Sequence, residues 1–263
     1  SVNYYQEYQR KSLIKEFDAK LQIANGLYHQ SDQRTALIYI DSLRLLSQKN
    51  ASVSSYAANL IEKEKDQIDI ELSEGKYKEA IWGLLLYMQY FDEKEAKDLY
   101  KLAIAYKNTG DYQKSIYLFE KLLKGNYREL EALLELAQIY NHGLIQKELA
   151  LKYYERGLEE IIEDFRSTYG KAYRLLINRE NTPKLYSTFY REAAELYFEL
   201  GDYDKARKTL TWVIFFEPDT QRGYELMIIS LINLNEIKLA CNYFSKAVKK
   251  GHEISIQKLE CYD

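Results

Sequence analysis

Side chains able to do chemistry are few in this chain, and their spacing argues against their acting together. His29, His142 and His252 lie far apart, with none of the short intervals by which neighbouring imidazoles or thiolates share a metal ion. Cys241 and Cys261 need a neighbouring base to act as nucleophiles, and neither has one close in sequence. They are also too few for a disulfide framework, and whether they bridge is left open by the sequence. Cys241, next to Ala240 on an expected packed helix, reads as a small buried hydrophobe. The densest carboxylates, Glu159, Glu160, Glu163 and Asp164, suit general acid–base work in principle. No nucleophile or metal pattern accompanies them, so they read as a solvated helix face. No glycine-rich phosphate loop follows a strand, and no strand is expected. Asn50-Ala51-Ser52 matches a glycosylation acceptor, a triplet common by chance. Neither catalysis nor a cofactor or metal is expected.

Bulk properties narrow the partners. Lys and Arg total 37 against 40 Asp and Glu, a net charge of −3, which lacks the basic excess of a nucleic-acid binder. The longest apolar run, IWGLLLYM at 81–88, is far short of the roughly 18 residues a membrane span needs. The 26 tyrosines suit helix seams, ring in the core and hydroxyl at the edge, with a tyrosine-lined groove as the alternative. No cleavable signal is visible, but Ser1 is not an initiator Met. A cytoplasmic setting is the default expectation, with export after loss of an upstream signal left open.

The elements that position these residues recur. In the stretch 96–129, Leu99, Leu102, Ala103 and Tyr106 form one amphipathic helical stripe, Gly110 ends it, and Ile116, Phe119 and Leu122 begin another. A small residue near the start of each second helix marks the register at Ala36, Ala80, Ser115, Ala150, Ala206 and Ala240. Three of the five intervals fall at 34 or 35 residues, the period of a helix–turn–helix solenoid. This gives a single domain over 1–263 with units at about 17–50, 61–95, 96–129, 130–163, 187–220 and 221–254. Residues 1–16 extend or cap the first unit. An irregular insert, a spacer or a docking element, occupies about 164–186, with Thr182 capping the next helix and Pro183 at its first position. A helix at about 254–261 is expected to cover the exposed end of the core. Trp82 and Trp212 read as seam-fillers, and Asn235 replaces the turn glycine of the last unit.

LAIAYKNTGDYQKS at 102–115, and AAELYFELGDYDKA at 193–206 with EPDT beyond it, carry a small residue and Tyr, then Gly-Asp-Tyr and a small residue. With Pro218 at the second exit, the pattern resembles the tetratricopeptide repeat. The resemblance implies an all-α, right-handed solenoid of about six antiparallel helix pairs with a concave groove that binds protein or peptide. It also implies which first-helix residues face inward. They include Lys97, Tyr100, Ile104 and Lys107, then Gln138 and Asn141, then Arg191, Glu195 and Phe198, then Arg222. This mixed set does not reproduce the Lys, Asn and Arg clamp with which some members hold a terminal carboxylate, so a chaperone-tail receptor is not expected. The leading expectation is a non-enzymatic scaffold holding a peptide or helix of another protein. The alternative is a peptide- or ligand-sensing module coupled to an effector outside this chain. Self-association through the open ends of the array is left open by the sequence.

Overall fold

The computed structural model describes residues 2–254 and Cys261, and among these it contains thirteen α-helices and no strand. The chain divides into two compact units, Ser1–Leu122 and Leu123–Asp263. The architecture is all-α and of the α-solenoid class, with successive helices paired antiparallel across short turns.

In the first unit α1 (Val2–His29) pairs with α2 (Gln33–Ser47), and α3 (Ala51–Ser73) with α4 (Tyr77–Phe91). Residues 1–16 add no separate cap; from Val2 onward they form the first half of one 28-residue helix. α5 (Ala96–Asn108) meets α6 (Tyr112–Lys124), where the Ser115 hydroxyl, wholly buried, donates to the Ala103 carbonyl at 2.8 Å. That approach explains why the register position holds only small residues. Ala36, Ala80, Ser115, Ala150, Ala206 and Ala240 are all 0% exposed. The α5–α6 turn places Gly110 at φ 82°, a conformation that costs other residues a Cβ clash. Ser31 and Asn235 adopt it at the equivalent turns, at φ 68° and 58°. Asn50 is an N-cap, its side chain accepting from the Ser52 and Val53 amides of α3.

The second unit runs α7 (Glu129–Gln138), a π-helical turn (Ile139–Gly143), α8 (Lys147–Tyr169), α10 (Lys184–Glu199), α11 (Tyr203–Phe216), α12 (Gln221–Asn233) and α13 (Ile237–Lys249). Between α8 and α10 lie a 3-10 turn (Gly170–Ala172), the single-turn α9 (Tyr173–Leu176) and a second 3-10 turn (Arg179–Asn181). The irregular stretch is therefore shorter than expected. Buried Ile161 and Phe165 carry the apolar stripe of α8 on to Tyr169, and Gly170, at φ 69°, then breaks it. The start of α10 also differs. Pro183 is the N-cap, and the Thr182 hydroxyl donates to the Asn178 carbonyl rather than capping the helix. α8 and α10 approach so closely that a Cβ on Gly157 would stand 2.1 Å from Phe189 Cε1.

Cys241 is half-buried and disulfide-bonded to Cys261, not the small buried hydrophobe its neighbours suggested. The expected final helix at 254–261 lies outside the described residues, except for Ile254, which is not helical, and Cys261.

Tyr90, Tyr186 and Tyr197 work as seam residues, whereas Tyr4, Tyr5, Tyr8 and Tyr117 are exposed. The rings of these three are buried while their hydroxyls donate to acceptors on other helices, Tyr90 to Ser47 Oγ, Tyr186 to Asp164 and Tyr197 to Glu155. Burial pushes the Tyr186 and Tyr197 phenols well above the usual range, and the carboxylate each one donates to pushes the same way.

Candidate functional site

The first unit carries four of the positions expected to face inward, all on α5. Lys97 is exposed and pairs with Glu95 at 2.8 Å, a contact that raises its own pKa and lowers that of Glu95. Tyr100, Ile104 and Lys107 are half-buried, and the Tyr100 ring meets Phe119 edge-on at 5.7 Å. On the adjoining stripe of the same helix, Leu99, Leu102, Ala103 and Tyr106 are buried. The helix thus has one face fixed in the core and one row accessible to a partner. Asp98, also on α5, is 1% exposed and answered by Lys65 at 3.5 Å, an internal ion pair that no spacing rule marked.

The second unit carries the other six. Gln138 closes α7 and its amide nitrogen donates to both Glu192 oxygens, at 3.0 and 3.2 Å. Tyr154 on α8 donates to the same carboxylate at 2.7 Å. Burial, then the Glu192 charge, holds the Tyr154 phenol far above its ordinary pKa. Glu192 therefore ties α7, α8 and α10 together, and the sequence reading had passed over it. Asn141 sits half-buried in the π-turn. Arg191 is tied to Glu217 at 2.8 Å, and exposed Arg222 lies 3.7 Å from Glu225. Glu195 is half-buried, as is Phe198, whose ring meets Tyr203 edge-on at 5.6 Å. Arg191, Glu195 and Phe198 follow one another at steps of four and three, forming a single row on α10. Within this unit α10 packs against α7 and α12, so successive first helices are neighbours. Part of the expected set thus has structural duty, Gln138 and Arg191 above all, while Glu195 and Phe198 keep accessible surface.

A polar cleft of about 330 Å³ in the first unit holds Tyr28, Gln33, Lys78, Tyr106, Asp111 and Lys114. Its groups answer one another, with Gln33 Nε2 donating to the Tyr106 hydroxyl at 3.1 Å and Lys114 reaching Gln33 Oε1 at 3.2 Å. Among the described residues no three His, Cys, Asp or Glu side chains are grouped to hold a metal ion. No helix among them is long and apolar enough to cross a membrane.

Paired helices joined by left-handed turns, packed through small residues and carrying accessible first-helix rows, define a helical repeat protein of the interaction-scaffold type. The tetratricopeptide repeat model matches residues 99–124 and 190–211, the α5–α6 and α10–α11 hairpins. Solved structures agree on the fold. One crystal structure of MamA protein is 18% identical, covering 75% of this chain and 97% of its own at a TM-score of 0.54. MamA from Desulfovibrio magneticus RS-1, from residue 41 to its end, is 18% identical, with 73% and 94% covered and a TM-score of 0.53. MamA of AMB-1 is 17% identical, with 76% and 96% covered and a TM-score of 0.54. No curated protein matches the sequence.

Proposed function

We propose that this protein is a non-enzymatic scaffold that holds a peptide or helical segment of another protein against the accessible rows of its first helices. The observation that carries the reading is the row on α10, where Glu195 and Phe198 stay half-exposed beside fully buried Ala193, Ala194 and Leu196. The α5 row repeats the arrangement with Tyr100 and Ile104 half-exposed. Half-exposed aromatic and aliphatic side chains supply affinity with little ordering cost, and a neighbouring carboxylate fixes the direction of a partner backbone. A regular helical surface suits an extended ligand better than a small one.

The test is affinity capture from a native lysate by the intact chain and by a Tyr100→Ala, Glu195→Lys, Phe198→Ala variant. These positions are chosen over Gln138 and Arg191, whose changes would disturb Glu192 and Glu217. With circular dichroism showing both proteins folded, a partner held by the intact chain and lost with the variant supports the reading. Equal capture refutes it.

A further inference from the structure

The stretch between α8 and α10 builds a second, chemically different surface. Between α9 and α11 lies an open cleft of about 410 Å³ lined by Arg174, Lys208, Thr211, Trp212 and Phe215. Its floor is fixed from behind by an aromatic stack. The Trp212 ring lies 5.5 Å from Tyr190, 6.1 Å from Phe165 and 5.8 Å from Phe216, all close to parallel with it or moderately tilted. Phe215 remains 37% exposed at the mouth. Directly after Arg174, the side chains of Leu175 and Leu176 are 89% and 56% exposed, so apolar surface continues past the cleft. A spacer has no need of these leucines, which cost solubility and stabilise nothing where they stand.

The charge at the lip is equally specific. Six of the eight arginines of this unit, Arg128, Arg156, Arg166, Arg191, Arg207 and Arg222, each pair with a carboxylate, and Arg179, which does not line the cleft, is not among them. Nor is Arg174: its Nε donates to the Tyr173 hydroxyl at 3.3 Å, and among the described residues its two terminal nitrogens have no acceptor. Lys208 stands at the cleft with its Asp204 partner, its side chain 65% exposed. A guanidinium beside aromatic rings, with a free fork of donors, is built to take a carboxylate in two parallel hydrogen bonds.

We propose that this cleft is a second docking site, for an acidic peptide segment that places a bulky apolar side chain on Trp212 and Phe215 and a carboxylate on Arg174. The exposed leucines extend the contact beyond the reach of a small ligand and receive the next apolar side chain of the segment. The site goes beyond the first-helix rows and uses none of their residues.

A random dodecapeptide library displayed on phage, panned on the full chain, tests it. The expected enriched family has Asp or Glu within a few positions of Phe, Trp or Leu. Synthetic members should bind Arg174→Glu at least about tenfold more weakly than the intact chain, and Leu175→Ser, Leu176→Ser more weakly as well. Both variants change exposed side chains, and their thermal unfolding checks that they are folded. Peptides lost with Phe198→Ala but indifferent to Arg174→Glu belong to the α10 row. If no enriched family distinguishes Arg174→Glu from the intact chain, or those that do lack acidic residues, the proposal is overturned.

Discussion

Glu192 and Gly157 show how much of this molecule rests on single positions between helices. Glu192 collects hydrogen bonds from Gln138 and Tyr154, so Tyr154→Phe removes one donor from a half-buried carboxylate and should cost about 1 kcal/mol in urea unfolding. At Gly157 an added methyl meets Phe189, and Gly157→Ala should lose about 1–3 kcal/mol by overpacking, though it raises helix propensity. The buried tyrosines set the alkaline limit. Tyr154, Tyr186, Tyr190 and Tyr197 all have phenol pKa values raised by burial. Above the ordinary phenol value of about 10 the unfolded chain gives up protons that the folded chain keeps, so stability falls as pH rises through that value. Urea unfolding at stepped pH should show this loss, and a Tyr190→Phe variant should show less of it. The tyrosine count announced seam packing. The identity of the hydroxyl acceptors depended on which helices meet, which no local pattern states.

At the scale of elements, the small register residues were legible because close backbone approach admits nothing larger, and every one of them is wholly buried. Several turns were legible for the same kind of reason, since their left-handed positions hold Gly, Asn or Ser, whereas Asp92, Arg128 and Ile145 are left-handed with no such residue to mark them. The stretch after α8 was legible only as a break in rhythm. Its cleft joins Arg174 to Trp212 and Phe215, residues some forty positions apart that meet only once α9 has turned back on α11. Because Leu175 and Leu176 are largely exposed, Leu175→Ser, Leu176→Ser should leave the thermal midpoint within the shift expected for about 0.5 kcal/mol. The Cys241–Cys261 bond closes a loop across a sequence separation of 20, worth up to about 3 kcal/mol by loop-closure entropy. Reductant should lower the unfolding midpoint of the intact chain and leave Cys241→Ser unchanged.

For the whole molecule, the tetratricopeptide pattern and helix pairing were readable from two hairpins, 99–124 and 190–211, because the repeat motif is itself a packing rule. The candidate binding rows were only half readable. Periodicity told which side of α5 and α10 leaves the core, but not that Gln138 and Arg191 would be engaged by Glu192 and Glu217. The central claim, that partners lie on the first-helix rows, is tested most directly by hydroxyl-radical footprinting of the chain with and without a captured partner. The account expects oxidation of Tyr100 or Phe198 to fall several-fold on binding, while Tyr117, 66% exposed on the second helix α6, stays unchanged. Protection of Tyr117 with Tyr100 and Phe198 unaltered would contradict it.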